Sequence, residues 1–579
     1  MSGNAAGGVI KSGRGLTACE LIEIRTLDGA NIYLREPAIK LQFRARQLSA
    51  RELAVAVGRW HDAAQTVAPA PAPRERDDDL LDQLLWPIVR DVHVALALPV
   101  PPRLTVRGPL EPDASQELTL AFGWAWRETA EGLAETAFAL LNALLAGEAP
   151  ALASRLAPLR AALARDRATD DHPLFVRDAE RRIPLAAITG TNGKTTTTRC
   201  LTHLLTVAGR RVGMANSNGV WLGDEQVLDG DYTGPQGARR VLADATLDLA
   251  VLETARGGIL LRGIAYESND VGVVTNISAD HLGLQGIATV EDLARVKALV
   301  VRLTRPTGLV VLNADDPLVA AMAEVVAAPV LFFSRQGANS TIAAHLAAGG
   351  RALLAEDGAI VLAEGARRAP LVRLAEVPFT FGGRAPHMVE NALAATGAAL
   401  GLGLDPATIA AGLRDFRNSP EQNFGRLNAF AIAAPRCTFI VDYAHNEAGL
   451  AHLLAFGRGY VEPGARLLAI IGTAGDRGDT VLRGIGRQAG AAAAFVWVRG
   501  TAHYLRGRSG EAMNGLFVAG IVEGRDGAAG GYGLVADELS AVEAALAEAQ
   551  PGDAIVMMCF EDQAAVLAWL ATRGTSLAG

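Results

Sequence analysis

The sequence predicts an α/β protein of three parts: a small α+β domain over residues 1–175, a P-loop α/β domain over 176–418 and a second α/β domain over 419–579. Three observations lead there. At 579 residues the chain is too long for one hydrophobic core. Past residue 180, short apolar runs ("LAAITG", "LDLAVLET", "DVGVVTNI", "GLVVLNADD") alternate with helical stretches, the texture of a parallel sheet with crossover helices. The first of those runs ends in the loop "GTNGKTTTT", a turn that opens a helix.

Each part has its own pattern. Residues 20–45 alternate apolar and polar around "DGAN", which predicts a strand pair joined by a turn. "VAPAPAPRERDDD" reads as a loop or linker, "ELTLAFGWAW" as a further strand, and the alanine-rich "EGLAETAFALLNALLAG" as a helix. After "NSPEQNFGRLN" a new α/β block begins, with "CTFIVDYAHN", "RLLAIIGTAGDRGD", "AAAFVWVRG" and "AIVMMCF" as its strands. No short-period repeat is present.

Composition narrows the function class. A formal charge of −8 and a pI near 5.8 argue against a nucleic-acid or acidic-membrane binder. The cysteines Cys19, Cys200, Cys437 and Cys559 lie far apart with no CxxC spacing, which argues against a disulfide scaffold or structural zinc. The N-terminus lacks a continuous apolar segment and no run of 18 apolar residues occurs, so a soluble, cytoplasmic protein is expected.

In the loop Gly190-Thr191-Asn192-Gly193-Lys194-Thr195-Thr196, backbone N–H groups and the helix N-terminus behind them suit phosphate anions. Lys194 would reach the terminal phosphates, and the Thr195 hydroxyl would bind Mg²⁺. Ile188 stands where the general loop rule has its first glycine. Lysine is scarce here: of 54 Lys plus Arg, only Lys11, Lys40, Lys194 and Lys297 are lysines. Arg and Lys serve about equally on a solvated helix face, so a retained lysine points to a need for an amine.

The ordered series "TGTNGKTTTT", "ETARGG", "TNISADHLG", "LNADDP", "HMVENALAA", "FGRLN", "VDYAHN" and "GDRGD" resembles the motifs of the Mur ligase family over residues 180–579. Within that family, "GDYTGPQGARRVLADATLDLAVLETARGGILLRGI" and "DHLGLQGIATVEDLARVK" are most similar to the Mur-like half of the cyanophycin synthetases. The N-terminal "IEIRTLDGANIYL" and "LTLAFGWAWRETAEGLAETAFALLNALL" resemble, more weakly, the N-terminal domain of those enzymes, without the ATP-grasp domain that lies between the two regions there. The resemblance implies a Mur ligase-type central domain and a Rossmann-like C-terminal domain that closes over ATP, with a hinge near Ser419.

The resemblance also implies roles, residue by residue. Lys194 and Arg426 would offset the repulsion when a phosphoryl group meets a carboxylate. Glu253 and His281 match the family's Mg²⁺ ligands, with Thr195. Lys297, sixteen residues after His281, matches the lysine that many members carry as a carbamate; a plain lysine contacting a substrate carboxylate is the alternative. Asn313 and Asn391 match positions near the adenine, and Asp442 would accept from ribose hydroxyls. Thr233 and Arg256 would hold the carboxylate substrate. Beyond Asp442 lies His445, and Asp476 and Arg477 would face the incoming amino acid; a local ion pair in a loop is the other reading of the last two.

The resemblance as a whole implies an ATP- and Mg²⁺-dependent carboxylate–amine ligase working through an acyl phosphate. Its partners would be ATP, a peptide or aspartate-type carboxylate acceptor and an amino acid donor, in a cyanophycin-like pathway, with a homo-oligomer or a partner synthetase as further possibilities. Alternatives are a ligase for another peptide, cell-wall-like or glutamate-tailed acceptor, and a non-catalytic polymer-binding partner.

Overall fold

The computed structural model describes residues 18–65, 79–173, 175–280, 282–283, 285–337, 339–528 and 530–577. His281 and most of the Pro/Ala linker lie outside them. The chain divides into two compact units, Met1–Phe175 with Leu261–Glu267, and Val176–Leu260 with Ser268–Gly579.

The first unit is built on four antiparallel strands, β1 (Cys19–Leu27), β2 (Ala38–Arg46), β3 (Arg103–Leu110) and β4 (Ser115–Gly123), in the order β1-β2-β4-β3. Alternation decides which side of β2 is buried: Ile39, Leu41 and Phe43 are fully buried, while Lys40 and Gln42 are half-buried. The apolar side packs with Leu84, Leu133 and Leu140 of the helical segments into one core. The helix Ala50–Ala64 starts on a capping box in which Ser49 and Glu52 satisfy each other's backbone donors.

The "DGAN" stretch does not form the tight turn that the alternation predicts. β1 and β2 are joined by residues 28–37, an inward loop tied by Asn31, whose Nδ2 donates to Gly29 O at 2.9 Å and Glu36 O at 3.0 Å. Ala30 pairs antiparallel with Ile264, and a Cβ on Gly29 would lie 1.8 Å from the Ile264 carbonyl oxygen. Backbone approach, not strand reversal, is what the glycine serves.

The second unit holds two sheets. The larger contains β5 (Leu185–Thr189), β6 (Val212–Asn216), β7 (Gly219–Leu222), β8 (Glu225–Asp229), β9 (Leu249–Glu253), β10 (Asn269–Val274), β11 (Thr304–Asn313), β12 (Val330–Ser334), β13 (Arg351–Glu356), β14 (Ala359–Glu364) and β15 (Arg367–Arg373). Their order is β15-β14-β13-β12-β11-β10-β5-β9-β6-β7-β8. The strands from β13 to β6 run parallel, as the apolar runs predict. Both edges depart from the parallel expectation: β7 and β8 at one end, and β14 and β15 at the other, are antiparallel meanders. The β13–β14 reversal uses Asp357 (φ 48°) and Gly358 (φ 71°), a left-handed pair that fits a two-residue hairpin turn.

The smaller sheet contains β16 (Asn428–Ile432), β17 (Cys437–Asp442), β18 (Leu467–Ile471), β19 (Phe495–Arg499), β20 (Gly531–Val535), β21 (Ala554–Met558) and β22 (Gly574–Ser576), in the order β20-β19-β18-β21-β17-β16-β22. Its five strands from β20 to β17 are parallel. Ser419 falls in the irregular stretch 416–427 between the helix Pro406–Asp415 and β16. Among the described residues no helix is long and apolar enough to cross a membrane.

Candidate active site

β5 lies between β10 and β9, and its buried run delivers residues 190–193 to the carboxyl end of the larger sheet, where open α/β sheets gather ligands. Gly190 (φ 150°) and Gly193 (φ 84°) shape this loop. A Cβ at Gly190 would come within 1.9 Å of Thr275 Oγ1, and one at Gly193 within 2.2 Å of Asn391 Oδ1. The loop is strapped to the turn after β10: Thr191 N donates to Asn276 O at 2.8 Å, Asn192 N to Asn276 Oδ1 at 2.9 Å, and Thr275 Oγ1 to Asn192 O at 2.6 Å. Lys194 curls over it and donates from Nζ to Thr191 O at 2.9 Å.

Behind the loop, three oxygen-bearing side chains meet. Thr195 Oγ1 donates to Glu253 Oε2 at 2.9 Å and lies 3.1 Å from Ser217 Oγ. Glu253 comes from the end of β9 and Ser217 follows β6, so neighbouring strand ends supply them. Arg426 reaches the same point from residues 416–427: its Nη2 lies 3.3 Å from both Thr195 Oγ1 and Ser217 Oγ. Its guanidinium stacks over the Tyr443 ring at 4.2 Å.

The wall opposite the loop hangs on Asp442. Its Oδ2 accepts Leu427 N at 2.8 Å and its Oδ1 accepts Ala444 N at 2.7 Å. These bonds hold Leu427 at φ 52°, a left-handed conformation that a γ-branched residue seldom adopts. Burial pushes the Asp442 carboxyl up from its ordinary range, with Arg426 as the main opposing charge. Asn446 Nδ2 donates across to Asn192 Oδ1 at 3.2 Å, and the His387 and His452 rings stack at 4.9 Å with 7° between planes.

Together these walls enclose a cavity of about 200 Å³, whose lining includes Lys194, Thr195, Glu253, Asn391, Arg426 and Asp442. Thr191, Asn192, Gly193, Thr196, Thr233 and His445 line it too. Asn313 lines a neighbouring groove with Asp315, Asp316 and Arg335, and its amide is engaged by the residues that follow β10 and β11, donating to Thr275 O and accepting from Asp315 N, both at 2.9 Å.

Lys297 is buried behind the loop, where its Nζ donates to Gly190 O. Burial, then the positive charges of Lys194 and Arg256, hold its amine well below the usual lysine range, against the pull of Asp280 and Glu253. Arg256, Asp476 and Arg477 gather near Asp280 and are not among the residues lining the cavity. Asp280 lies 3.4 Å from Arg477 Nη1 and 3.7 Å from His445 Nε2, and Asp476 lies 3.8 Å from Arg477. Ser217, Asp280, Tyr443 and the stacked histidines were not singled out by the sequence. Asp280 had a signal available, because it stands in "TNISADHLG" beside His281.

The donors around Thr195 are hard oxygens of the kind that Mg²⁺ takes, and the glycine-shaped loop leaves backbone room for phosphate oxygens. Residues 188–399 match the Mur ligase middle domain, and residues 425–559 match the Mur ligase glutamate ligase domain. The chain belongs to the Mur ligase family. The middle-domain match spans the phosphate loop and Glu253, and the glutamate ligase match begins one residue before Arg426, so both Mur segments contribute to the cavity.

Among curated proteins the chain is similar to the cyanophycin synthetase of Synechocystis sp., 42% identical over 384 residues, which are 66% of this chain and 43% of that protein. It is also similar to the UDP-N-acetylmuramoyl-L-alanyl-D-glutamate–2,6-diaminopimelate ligase of Gloeobacter violaceus, 29% identical over 382 residues, 65% of this chain and 72% of that protein. Among solved structures, E. coli FolC in complex with DHPP and ADP aligns with 21% identity and a TM-score of 0.49, over 67% of this chain and 89% of that one. The matched region spans less than half the length of the Synechocystis relative.

Proposed function

We propose that this Mur ligase family member joins a carboxylate to the amine of an amino acid with ATP as the phosphoryl donor, in a cyanophycin-like reaction. The observation that carries the reading is the convergence of Lys194, Thr195, Glu253 and Arg426 on one cavity, with Arg426 arriving from the opposite wall. Two cationic side chains beside a hydroxyl and a carboxylate are what transfer of a phosphoryl group to an anionic acceptor requires.

In this reading, Gly190 to Thr196 cradle the phosphates, and Asn313, Asn391 and Asp442 hold the nucleoside. Thr195, Glu253, His281 and Lys297 are the residues that would hold Mg²⁺, which when bound neutralises phosphate charge. Lys194 and Arg426 orient the transferred phosphoryl group. Attack by the acceptor carboxylate breaks the terminal phosphoanhydride bond and yields an acyl phosphate and ADP; the amine then attacks the acyl carbon, phosphate leaves, and the amine proton passes to solvent or a base. Thr233 and Arg256 take the acceptor carboxylate, while His445, Asp476 and Arg477 face the incoming amino acid. The depressed amine of Lys297 favours the neutral form, the form that can add CO₂ and become an anionic oxygen ligand.

The test is ADP release across a panel of acceptors and amino acids, with products identified by mass spectrometry. Amide product formed with one ADP per bond is the expected result; ATP bound and never turned over with any acceptor would favour a binding role instead.

A further inference from the structure

Arg199 sits on the phosphate-loop helix Lys194–Val207, five residues after Lys194, and does not line the cavity. We propose that Arg199 is a positioning residue that sets Arg426 against the phosphate site by gripping, with one guanidinium, the two segments that frame it. The proposal rests on the ATP-ligase reading and deepens it.

The geometry is specific. Arg199 Nη1 donates to Phe424 O at 3.0 Å, two residues before Arg426. Its Nη2 donates to Asn218 Oδ1 at 3.1 Å, and Asn218 follows Ser217, whose hydroxyl lies 3.3 Å from Arg426 Nη2. The Arg426 segment is otherwise held through peptide groups bonded to both side chains and backbone: Gly425 N donates to Asn428 Oδ1 at 2.8 Å, Arg426 N to Asn423 O at 3.1 Å, Leu427 N to Asp442 Oδ2 at 2.8 Å, and Tyr443 N to Gly425 O at 2.9 Å. A planar fork that donates in two directions is a property of arginine; lysine offers a point charge on a flexible stem.

The electrostatics are costly without a ligand. Arg199 is 8% exposed, and burial together with the charge of Arg426 lowers its guanidinium to about 9, with Glu253 opposing. Two buried guanidiniums therefore share the surroundings of the phosphate loop with Lys194, with Glu253 and Asp442 as the carboxylates that oppose them, and a bound polyanion adds the negative charge that keeps the guanidiniums protonated. Nucleotide affinity and the Arg199–Arg426 geometry are thereby coupled.

A double-mutant cycle on the full chain tests this, with titration calorimetry of AMPPNP and Mg²⁺ into wild type, Arg199→Met, Arg426→Ala and the double variant. Arg199→Met should weaken AMPPNP by about tenfold when Arg426 is present and by less than about twofold when it is absent. Equal losses in both backgrounds, or no loss, would overturn the proposal. Wild-type protein that binds no AMPPNP would instead defeat the ATP reading itself. Should Arg199→Met show no cooperative melting, Asn218→Ala enters the same cycle, since it removes one of the two acceptors; a loss that depends on Arg426 supports the assignment and an independent or absent loss rejects it.

Discussion

The phosphate loop and the wall facing it both present charged groups to one cavity, on different supports. The loop takes its shape from left-handed glycines and a helix N-terminus aligned behind it, and hydrogen bonds to the backbone and side chains of Thr275 and Asn276 tie it down. The facing wall is held by side chains, with Asp442 clamping the backbone of Leu427 and Ala444, and Arg426 stacked on Tyr443. A loop shaped by glycine conformation keeps much of its shape when neighbouring side chains change, whereas a wall that hangs on one carboxylate shifts with the residue that holds it.

The sharpest break is predicted on the loop side. Lys194→Ala should lower ATP turnover by about 10³-fold, through loss of a preorganised charge at the phosphates. ADP release within about tenfold of wild type would remove Lys194 from its role. Next, Lys297→Arg should cost activity about 100-fold, because a guanidinium stays charged and cannot add CO₂ to become an anionic ligand. Retained activity would exclude a required carbamate. Gly193→Ala should then weaken AMPPNP binding by about tenfold, since a methyl at φ 84° must displace Asn391 Oδ1. Unchanged affinity would show that the loop does not depend on this close approach.

Two smaller effects probe the facing wall. Burial, then the charges of His452 and Arg335, lower the His387 ring from an ordinary 6.5 to about 3. The unfolded chain binds that proton below about pH 6.5 and the folded chain does not, so this contribution to stability is complete above pH 6.5 and is lost as pH falls toward about 3. Melting followed against pH should show a shallower acid slope in His387→Phe, and an unaltered slope would contradict the burial argument. Last, Leu427→Gly should lower the unfolding free energy by about 2–4 kcal/mol, because loss of a fully buried leucine side chain outweighs relief of its left-handed conformation. A loss below about 1 kcal/mol in denaturant titration would mean that relief of the left-handed conformation offsets the packing.

The same contrast explains what could be read from the sequence. The loop was legible because residues 189–198 are contiguous and their glycines and hydroxyls express local backbone needs. Arg426 and Asp442 were legible through motif wording alone; nothing local says that one lies on a tyrosine and the other clamps two peptides. Ser217 was missed because its link to Thr195 crosses 22 positions and a serine after a strand looks like any turn residue. The parallel core of the larger sheet followed from its apolar runs, while the antiparallel edge did not, although "EDGA" carried the Asp-Gly signal of a tight hairpin. "DGAN" was misread in the opposite sense, since the same dipeptide there serves a close approach to Ile264.

The contact between Gly193 and Asn391 turns two separate elements into a gauge. Because Gly193 carries no side chain, only the short side chain of Asn391 lies between the loop and the helix Pro386–Gly401. A ligand that touched both would be sorted by the separation of its groups as well as by their charge.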